Sequence, residues 1–141
     1  MRLHEQECVQ RALGCSAEHM RSVNLSQRLP SAHEIEAASA IMIGGSGAFH
    51  VYDDEPWIKN IISFCSELLT HVDRPILGMC FGHQALLLAS GAQIVKDEDK
   101  EELGTFEIHL SQAGQFDELF RGFPDHFYVQ LGHVDRAKDL P

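Results

Sequence analysis

The sequence predicts an α/β fold with a mostly parallel, doubly wound sheet. Two short apolar segments, residues 40–43 and 75–77, have the composition of strands that are covered on both faces. Between them, apolar residues recur at three- and four-residue intervals, which is the pattern of a helix with one buried face. Glycine-rich sequence follows each apolar segment, at the strand ends where such sheets bind ligands.

The first part of the chain predicts short elements. Ser31 and Glu34 form a capping-box pattern, in which each residue satisfies a backbone group of the other at the start of a helix. Gly14 is a helix stop. The predicted elements of this part are helices at residues 5–13 and 31–38 and strands at residues 22–25 and 40–43.

The middle of the chain predicts a longer helix between the two apolar strands. Pro56 favours the first turn of this helix, because its fixed φ suits that position. Strand 76–79 and helix 82–90 follow, and Gly91 stops the second helix. The buried face of the first helix is predicted from helical spacing as Ile58, Ile61, Ile62, Cys65, Leu68 and Leu69.

The last part of the chain predicts further strands. Alternating apolar and polar residues at 105–110 and 127–131 indicate half-buried strands. The charged run 96–102 predicts a solvated loop. The remaining predicted elements are a strand at residues 92–95 and a short helix at residues 117–120.

Composition argues against several kinds of partner. The 141 residues carry 21 acidic and 11 basic side chains, and the formal net charge of -10 argues against nucleic acid or an anionic membrane surface. No segment approaches the roughly 18 apolar residues of a membrane span. The four cysteines and nine histidines lack the paired spacings of zinc or redox sites. We therefore expect no metal, no cofactor and a cytoplasmic location.

A cysteine at a strand-to-helix turn is the most specific chemical signal. Gly78-Met79-Cys80-Phe81-Gly82 follows an apolar strand and leads directly into a helix. This is the cysteine form of the turn that presents a nucleophile above an α/β sheet, and the flanking glycines avoid collisions across it. The helix N-terminus favours negative charge on the sulfur. The alternative is that Cys80 is an ordinary buried cysteine.

Backbone donors for such a nucleophile lie at two predicted strand ends. Attack on an amide or ester carbonyl creates an oxyanion, which needs N–H groups in fixed positions. The N–H of Phe81 is one candidate, and Gly44-Gly45 after the neighbouring strand offers the other. The alternative is that the glycine-rich residues 44–47 form only a flexible turn.

Four segments carry a further pattern. They are Gly78-Met79-Cys80-Phe81-Gly82-His83-Gln84, Ile43-Gly44-Gly45-Ser46-Gly47, Glu102-Leu103-Gly104, and Gly132-His133-Val134-Asp135 with Leu140-Pro141. In this order and spacing they resemble the class I glutamine amidotransferases over about residues 40–141, and Cys-x-Gly-x-Gln is the specific part. The resemblance implies a flavodoxin-like sheet and one partial domain over residues 1–141.

The resemblance also implies an activity. Glutamine would be hydrolysed at its side-chain amide through a thioester on Cys80, with Gly45 and Phe81 as oxyanion donors. The ammonia would pass to a synthase subunit or domain, as is usual in this family. The residues that would hold glutamine are Gly44, Gln84, Gly132, His133, Val134 and Asp135.

One element of the family is missing from these residues. Its general base is a histidine in a late His-Pro-Glu element, and no His-Pro-Glu occurs in this sequence. We therefore expect a domain that is incomplete at both ends, with weak or absent activity of the chain alone. Of the candidate substitutes, His133 comes first because it follows a strand near the proposed site. His50 and His83 come after it, and His83 is expected to face away from the sulfur.

Two other functions stay open at this point. A different cysteine hydrolase would have an acidic side chain near Cys80 and no preference for glutamine. A non-catalytic module that binds glutamine or a partner would keep its ligand after Cys80→Ala.

Overall fold

The computed structural model describes residues 2–139, so Leu140-Pro141 of the family resemblance lies outside the described residues. No helix within residues 2–139 combines the length and the apolar content needed to cross a bilayer. Short 3₁₀ turns lie at Ala17–His19, Glu98–Lys100 and Glu118–Phe120. The helices and strands, in chain order, are α1 Arg2–Leu13, α2 Ala32–Glu36, β1 Ile41–Ile43, α3 Pro56–His71, β2 Ile76–Gly78, α4 Phe81–Ala89, β3 Gln93–Lys96, β4 Glu102–His109, α5 Gln112–Phe116, β5 His126–His133 and β6 Asp135–Asp139.

Local sequence signals account for several helix boundaries. The Ser31 hydroxyl accepts the Glu34 N–H, and the Glu34 carboxylate accepts the Ser31 N–H, so the predicted capping box is confirmed. Helix α3 begins at Pro56, as predicted. Helix α4 ends before Gly91, whose φ of +98° is in the region that favours glycine.

The prediction of a strand at residues 22–25 is wrong. The Asn24 carbonyl accepts the N–H groups of Gln27 and Arg28, and its side-chain oxygen accepts hydrogen bonds from Ser26. These bonds close a local turn. Asparagine commonly offers the backbone such an alternative to strand pairing, and here the local alternative is the one formed.

The strands of the described residues form one parallel and two antiparallel pairs. In the parallel pair, Ile41 lies opposite Ile76 and Ile43 opposite Gly78, and the chain crosses between β1 and β2 through α3. The later strands differ from a parallel arrangement, because β4 pairs antiparallel with β5 and β3 pairs antiparallel with β6. Strand β4 extends back into the predicted charged loop, where Glu102 lies opposite His133 and can pair with it. Strand β6 was not predicted.

The buried apolar core lies within residues 43–92. The predicted stripe of α3 is confirmed in part, since four of its members are buried, whereas Ile62 is half-buried and Leu69 is 47% exposed. Phe64 is buried in addition. This core holds the end of β1 against α3 and α4 and so fixes the turn that carries Cys80. Its members are Ile43, Val51, Ile58, Ile61, Phe64, Cys65, Leu68, Phe81, Ala85 and Ala92.

Candidate active site

Cys80 occupies a strained turn between β2 and α4. Its φ is +52°, and among residues 2–139 it is the one residue other than glycine with a positive φ. Such a conformation costs about 1–3 kcal/mol and persists where the surrounding structure imposes it. The residue is exposed rather than buried, so the alternative of an ordinary buried cysteine is wrong. The predicted strand–turn–helix geometry is confirmed.

The two glycines that flank Cys80 are steric requirements. A Cβ at Gly82 would lie 2.1 Å from the carbonyl oxygen of Ile43, and a Cβ at Gly78 would lie 2.6 Å from the Cα of His83. Both distances are shorter than real Cβ contacts, so only glycine permits this approach. The Gly82 N–H also donates to the Gly44 carbonyl at 3.1 Å, which ties the turn to the end of β1.

Gly45 lies directly against the cysteine. A Cβ at Gly45 would lie 3.2 Å from the Cys80 Cβ and 3.7 Å from its Sγ. The backbone hydrogen bonds that link separate segments of residues 2–139 include none from the N–H of Gly45 or Phe81. Both N–H groups are therefore available to an oxygen bound beside the sulfur.

Cys80 opens onto a cleft of about 190 Å³. This volume corresponds to roughly six waters, which suits a small molecule. Every predicted site residue lines the cleft except Gly44, which supports the turn through its carbonyl, and Gly45, which lies against Cys80. The lining residues are Ser46, Gly47, Phe49, His50, Cys80, Phe81, Gln84, Glu101, Leu103, Gly132, His133, Val134 and Asp135.

The side chain of Asp135 binds the loop that follows β1. This side chain is 6% exposed; its Oδ2 lies 2.5 Å from His50 Nδ1, and its Oδ1 accepts the Tyr52 hydroxyl at 2.8 Å. Hydrogen bonds to a charged group contribute about 1.5–3 kcal/mol each. Partial burial and then the Asp135 carboxylate raise the pKa of Tyr52 to about 12. Both carboxylate oxygens are thus engaged by the loop.

The other two candidate histidines are held less firmly. His133 Nε2 lies 3.5 Å from a Glu102 carboxylate oxygen, and both side chains are substantially exposed, so this pair contributes about 0–1 kcal/mol. His83 is exposed and does not line the cleft, as expected. Of the three candidate histidines, His50 therefore has the most firmly oriented imidazole, whereas the sequence favoured His133.

Aromatic contacts fix the opposite side of the same loop. The rings of Phe49 and Trp57 are nearly perpendicular at a centroid distance of 5.0 Å, and Trp57 stacks on Phe81 at 6.1 Å. The Ser46 hydroxyl accepts the Phe49 N–H and shapes the start of the loop. The loop is consequently held between the Cys80 turn on one side and Asp135 on the other.

Several residues of this arrangement were not predicted from sequence, among them Phe49, Tyr52 and Glu101. No local motif marks them, since Tyr52 is 83 positions from the Asp135 that it contacts. Residues 2–139 contain no group of three or more His, Cys, Asp or Glu side chains arranged to hold a metal ion.

Comparisons with known proteins point to one family. The family model for glutamine amidotransferase class-I matches residues 7–141. A glutamine amidotransferase-like protein of Schizosaccharomyces pombe is 34% identical over 113 residues, which are 79% of this chain and 44% of that protein. A glutamine-hydrolyzing GMP synthase of Thermosipho melanesiensis is 36% identical over 104 residues, which are 73% of this chain and 18% of that protein.

A solved structure supports the same relationship. The crystal structure of a glutamine amidotransferase from Thermotoga maritima matches with a TM-score of 0.75 and 25% identity, covering 96% of this chain and 56% of that one. The predicted α/β, flavodoxin-like fold class is thereby confirmed. This chain spans less than two thirds of the length of each of these three proteins.

Proposed function

Because the chain belongs to the class I glutamine amidotransferase family, we propose that it hydrolyses the side-chain amide of glutamine with Cys80 as the nucleophile. The observation that carries this proposal is the conformation of Cys80, an exposed cysteine held at positive φ where a cleft opens. Its sulfur attacks the amide carbon, the carbon–nitrogen bond breaks, and ammonia leaves. Water then releases glutamate from the thioester.

The N–H groups of Gly45 and Phe81 are the proposed oxyanion donors. Support comes from the contact of Gly45 with Cys80 and from the position of Phe81 at the first turn of α4. Removing one preorganised donor of this kind lowers the rate about 10²–10³-fold. The Gly44 carbonyl supports the turn by accepting the Gly82 N–H.

The glutamine itself is proposed to lie between α4 and the segment that joins β5 to β6. Gln84 is only 8% exposed, and Gly132, His133 and Val134 line the same cleft. Asp135 acts here through its backbone and through the loop that it holds, since His50 and Tyr52 engage its carboxylate.

We further propose that residues 1–141 form one domain of this family and that its ammonia passes to a synthase domain or subunit in the cytoplasm. The relative from Thermosipho is named a glutamine-hydrolyzing GMP synthase, and this chain matches 18% of its length. The rate of the 141 residues alone is expected to be low, because the His-Pro-Glu base of the family is not among them.

The test compares glutamate release by the wild-type chain, Cys80→Ala and Cys8→Ala, together with labelling by a glutamine-analogue diazoketone. Cys8 is a second exposed cysteine, on α1 and outside the cleft, so it controls for nonspecific thiol reactivity. We expect slow glutamate release and an adduct on Cys80, both lost in Cys80→Ala and both kept in Cys8→Ala. Mass spectrometry of the peptide that contains Cys80 identifies the adduct.

Other outcomes would favour the remaining functions. Reaction of Cys80 with simple alkylating agents, without any preference for the glutamine analogue, would indicate a different cysteine hydrolase. A folded chain that neither turns over glutamine nor forms an adduct, yet binds glutamine equally well after Cys80→Ala, would indicate a non-catalytic binding module.

A further inference from the structure

An acidic side chain lines the cleft in which Cys80 lies. Glu101 stands between the 3₁₀ turn Glu98–Lys100 and strand β4, and it lines the same cleft as Cys80. Among the side chains that the structure describes, none forms an ion pair or hydrogen bond with its carboxylate. Nearby acids along the chain do have partners. The pairs are Glu98 with Lys96, Glu102 with His133 and Asp97 with Arg136.

Contacts on both sides of Glu101 fix its position. The Asp97 N–H donates to the Val134 carbonyl at 2.9 Å, and Glu102 lies opposite His133 in the ladder of β4 and β5. Val134 and His133 belong to the segment that is proposed to hold glutamine, and both line the cleft. Glu101 is therefore attached to the wall of the cleft through its neighbours, although it follows a charged turn.

The described lining of the cleft carries negative charge. Neither lysine nor arginine is among these lining residues, and their two carboxylates are those of Glu101 and Asp135. His50 and Tyr52 engage both oxygens of Asp135. The carboxylate of Glu101 is thus the one in this lining that can take a cationic group of a ligand.

We propose that Glu101 binds the α-ammonium group of the substrate, which makes the cleft selective for γ-amides that carry a free α-amino group. This inference rests on the proposed glutamine hydrolysis and assigns a residue to the end of glutamine that does not react. Four bonds separate the reacting carbon from the α-nitrogen, a distance of about 5 Å in an extended chain. A compact cleft of about 190 Å³ is roughly 7 Å across, so a glutamine bound at Cys80 extends across it.

A diffuse negative field is the alternative to a direct contact, because several acids surround Glu101. Asp99 separates the two explanations. It is an exposed acid two positions before Glu101, and it does not line the cleft. Asp99→Asn removes the same charge from this part of the chain and leaves the carboxylate in the cleft. Salt screens charges that act only through solvent, so their effect on a bound ligand is small.

The test measures how fast Cys80 is labelled by two diazoketones, the glutamine analogue and the same molecule without its α-amino group. Mass spectrometry of the peptide that contains Cys80 quantifies both adducts. We expect the wild-type chain to react about five- to tenfold faster with the amino-bearing probe, since a charge-assisted contact to an exposed carboxylate contributes in this range. Glu101→Gln should slow the amino-bearing probe alone and so remove the preference, whereas Asp99→Asn should keep it.

The results separate this inference from the proposed function. A wild-type chain without the preference, or a preference that survives Glu101→Gln, would overturn the role of Glu101 alone, because Cys80 is still labelled. Equal slowing of both probes in Glu101→Gln would indicate a structural role, and a loss of preference in Asp99→Asn as large as in Glu101→Gln would indicate the diffuse field. A folded wild-type chain that neither probe labels would overturn the proposed function and this inference with it.

Discussion

The elbow region, residues 41–92, and the hairpin region, residues 102–139, form opposite sides of one cleft and are built differently. Every buried apolar residue of the described chain lies in the elbow region. In the hairpin region the one buried residue is Asp135, while large apolar side chains such as Phe116 at 81% and Leu103 at 69% are exposed. The elbow region is held by packing and the hairpin region by hydrogen bonds.

This difference indicates how the two regions contribute to the site. Close packing tolerates no extra atom, so the elbow region can impose a strained backbone on Cys80. The hairpin region reaches the cleft through the ladder between β4 and β5 and through the bonds from Asp135 to the loop after β1. Substitutions should therefore have large effects on stability in the first region and small ones in the second.

The largest expected effect is that of Gly82→Ala. The added Cβ would lie 2.1 Å from a backbone oxygen of β1, which cannot move without separating β1 from α4. We expect the free energy of unfolding to fall by about 3 kcal/mol or more. The matched control is Gly132→Ala in the hairpin region, where no atom lies within 4 Å of the added Cβ and the change should stay within about 0.5 kcal/mol. Urea denaturation measures both, and equal midpoints would contradict the comparison.

Truncating apolar side chains tests the same contrast by packing alone. Ile61 on α3 is 1% exposed, so Ile61→Ala should lower the free energy of unfolding by about 2–5 kcal/mol. Leu119, in the hairpin region, is 61% exposed, and Leu119→Ala should change it by no more than about 0.5 kcal/mol. A substantial loss of stability in Leu119→Ala would mean that Leu119 belongs to a packed face of the hairpin region.

The smallest of these effects is a dependence of stability on alkaline pH. Burial raises the pKa of Cys65 from 9.0 to about 11, so between these values the folded chain retains a proton that the unfolded chain loses. Stability therefore falls as pH rises from 9 to 11, by roughly 2–3 kcal/mol from this residue. Tyr52, with a pKa raised to about 12, adds a loss of the same sign at still higher pH.

Urea denaturation of wild type and Cys65→Ala at pH 8, 10 and 11 isolates the contribution of Cys65. The variant is less stable at every pH because a buried side chain is truncated, but its stability should decline less between pH 8 and 11. Parallel declines in the two proteins would show that the thiol of Cys65 does not cause the loss.

The elbow was predictable from sequence because its requirements are local. A cysteine between two glycines, after an apolar strand and before a helix, is specified within a few consecutive residues. The steric need for Gly78 and Gly82 then follows from the tightness of the turn. The capping box at Ser31 and the start of α3 at Pro56 were predictable for the same reason. In contrast, the strand expected at 22–25 failed because Asn24 formed a turn.

Partners that are distant in the chain could not be predicted in this way. His133 was favoured over His50 because it follows a strand close to the expected site, yet the buried acid lies beside His50. Asp135 is 85 positions from His50 along the chain, and no periodicity or motif encodes that approach. Strand β6, which carries Asp135, was itself missed, because its residues Asp135–Asp139 lack an apolar pattern and depend on pairing with β3.

By itself, the sequence determined the position of the Cys80 turn, the glycine turns, the α/β class and the resemblance to the family, because each depends on short-range sterics or on repeating burial. Tertiary structure alone decided that the later strands pair antiparallel and which histidine meets a buried carboxylate. It also decided that Gly44 supports the turn while Gly45 lies against the sulfur. These outcomes depend on how separate segments pack together, and no single stretch of residues determines that balance of contacts.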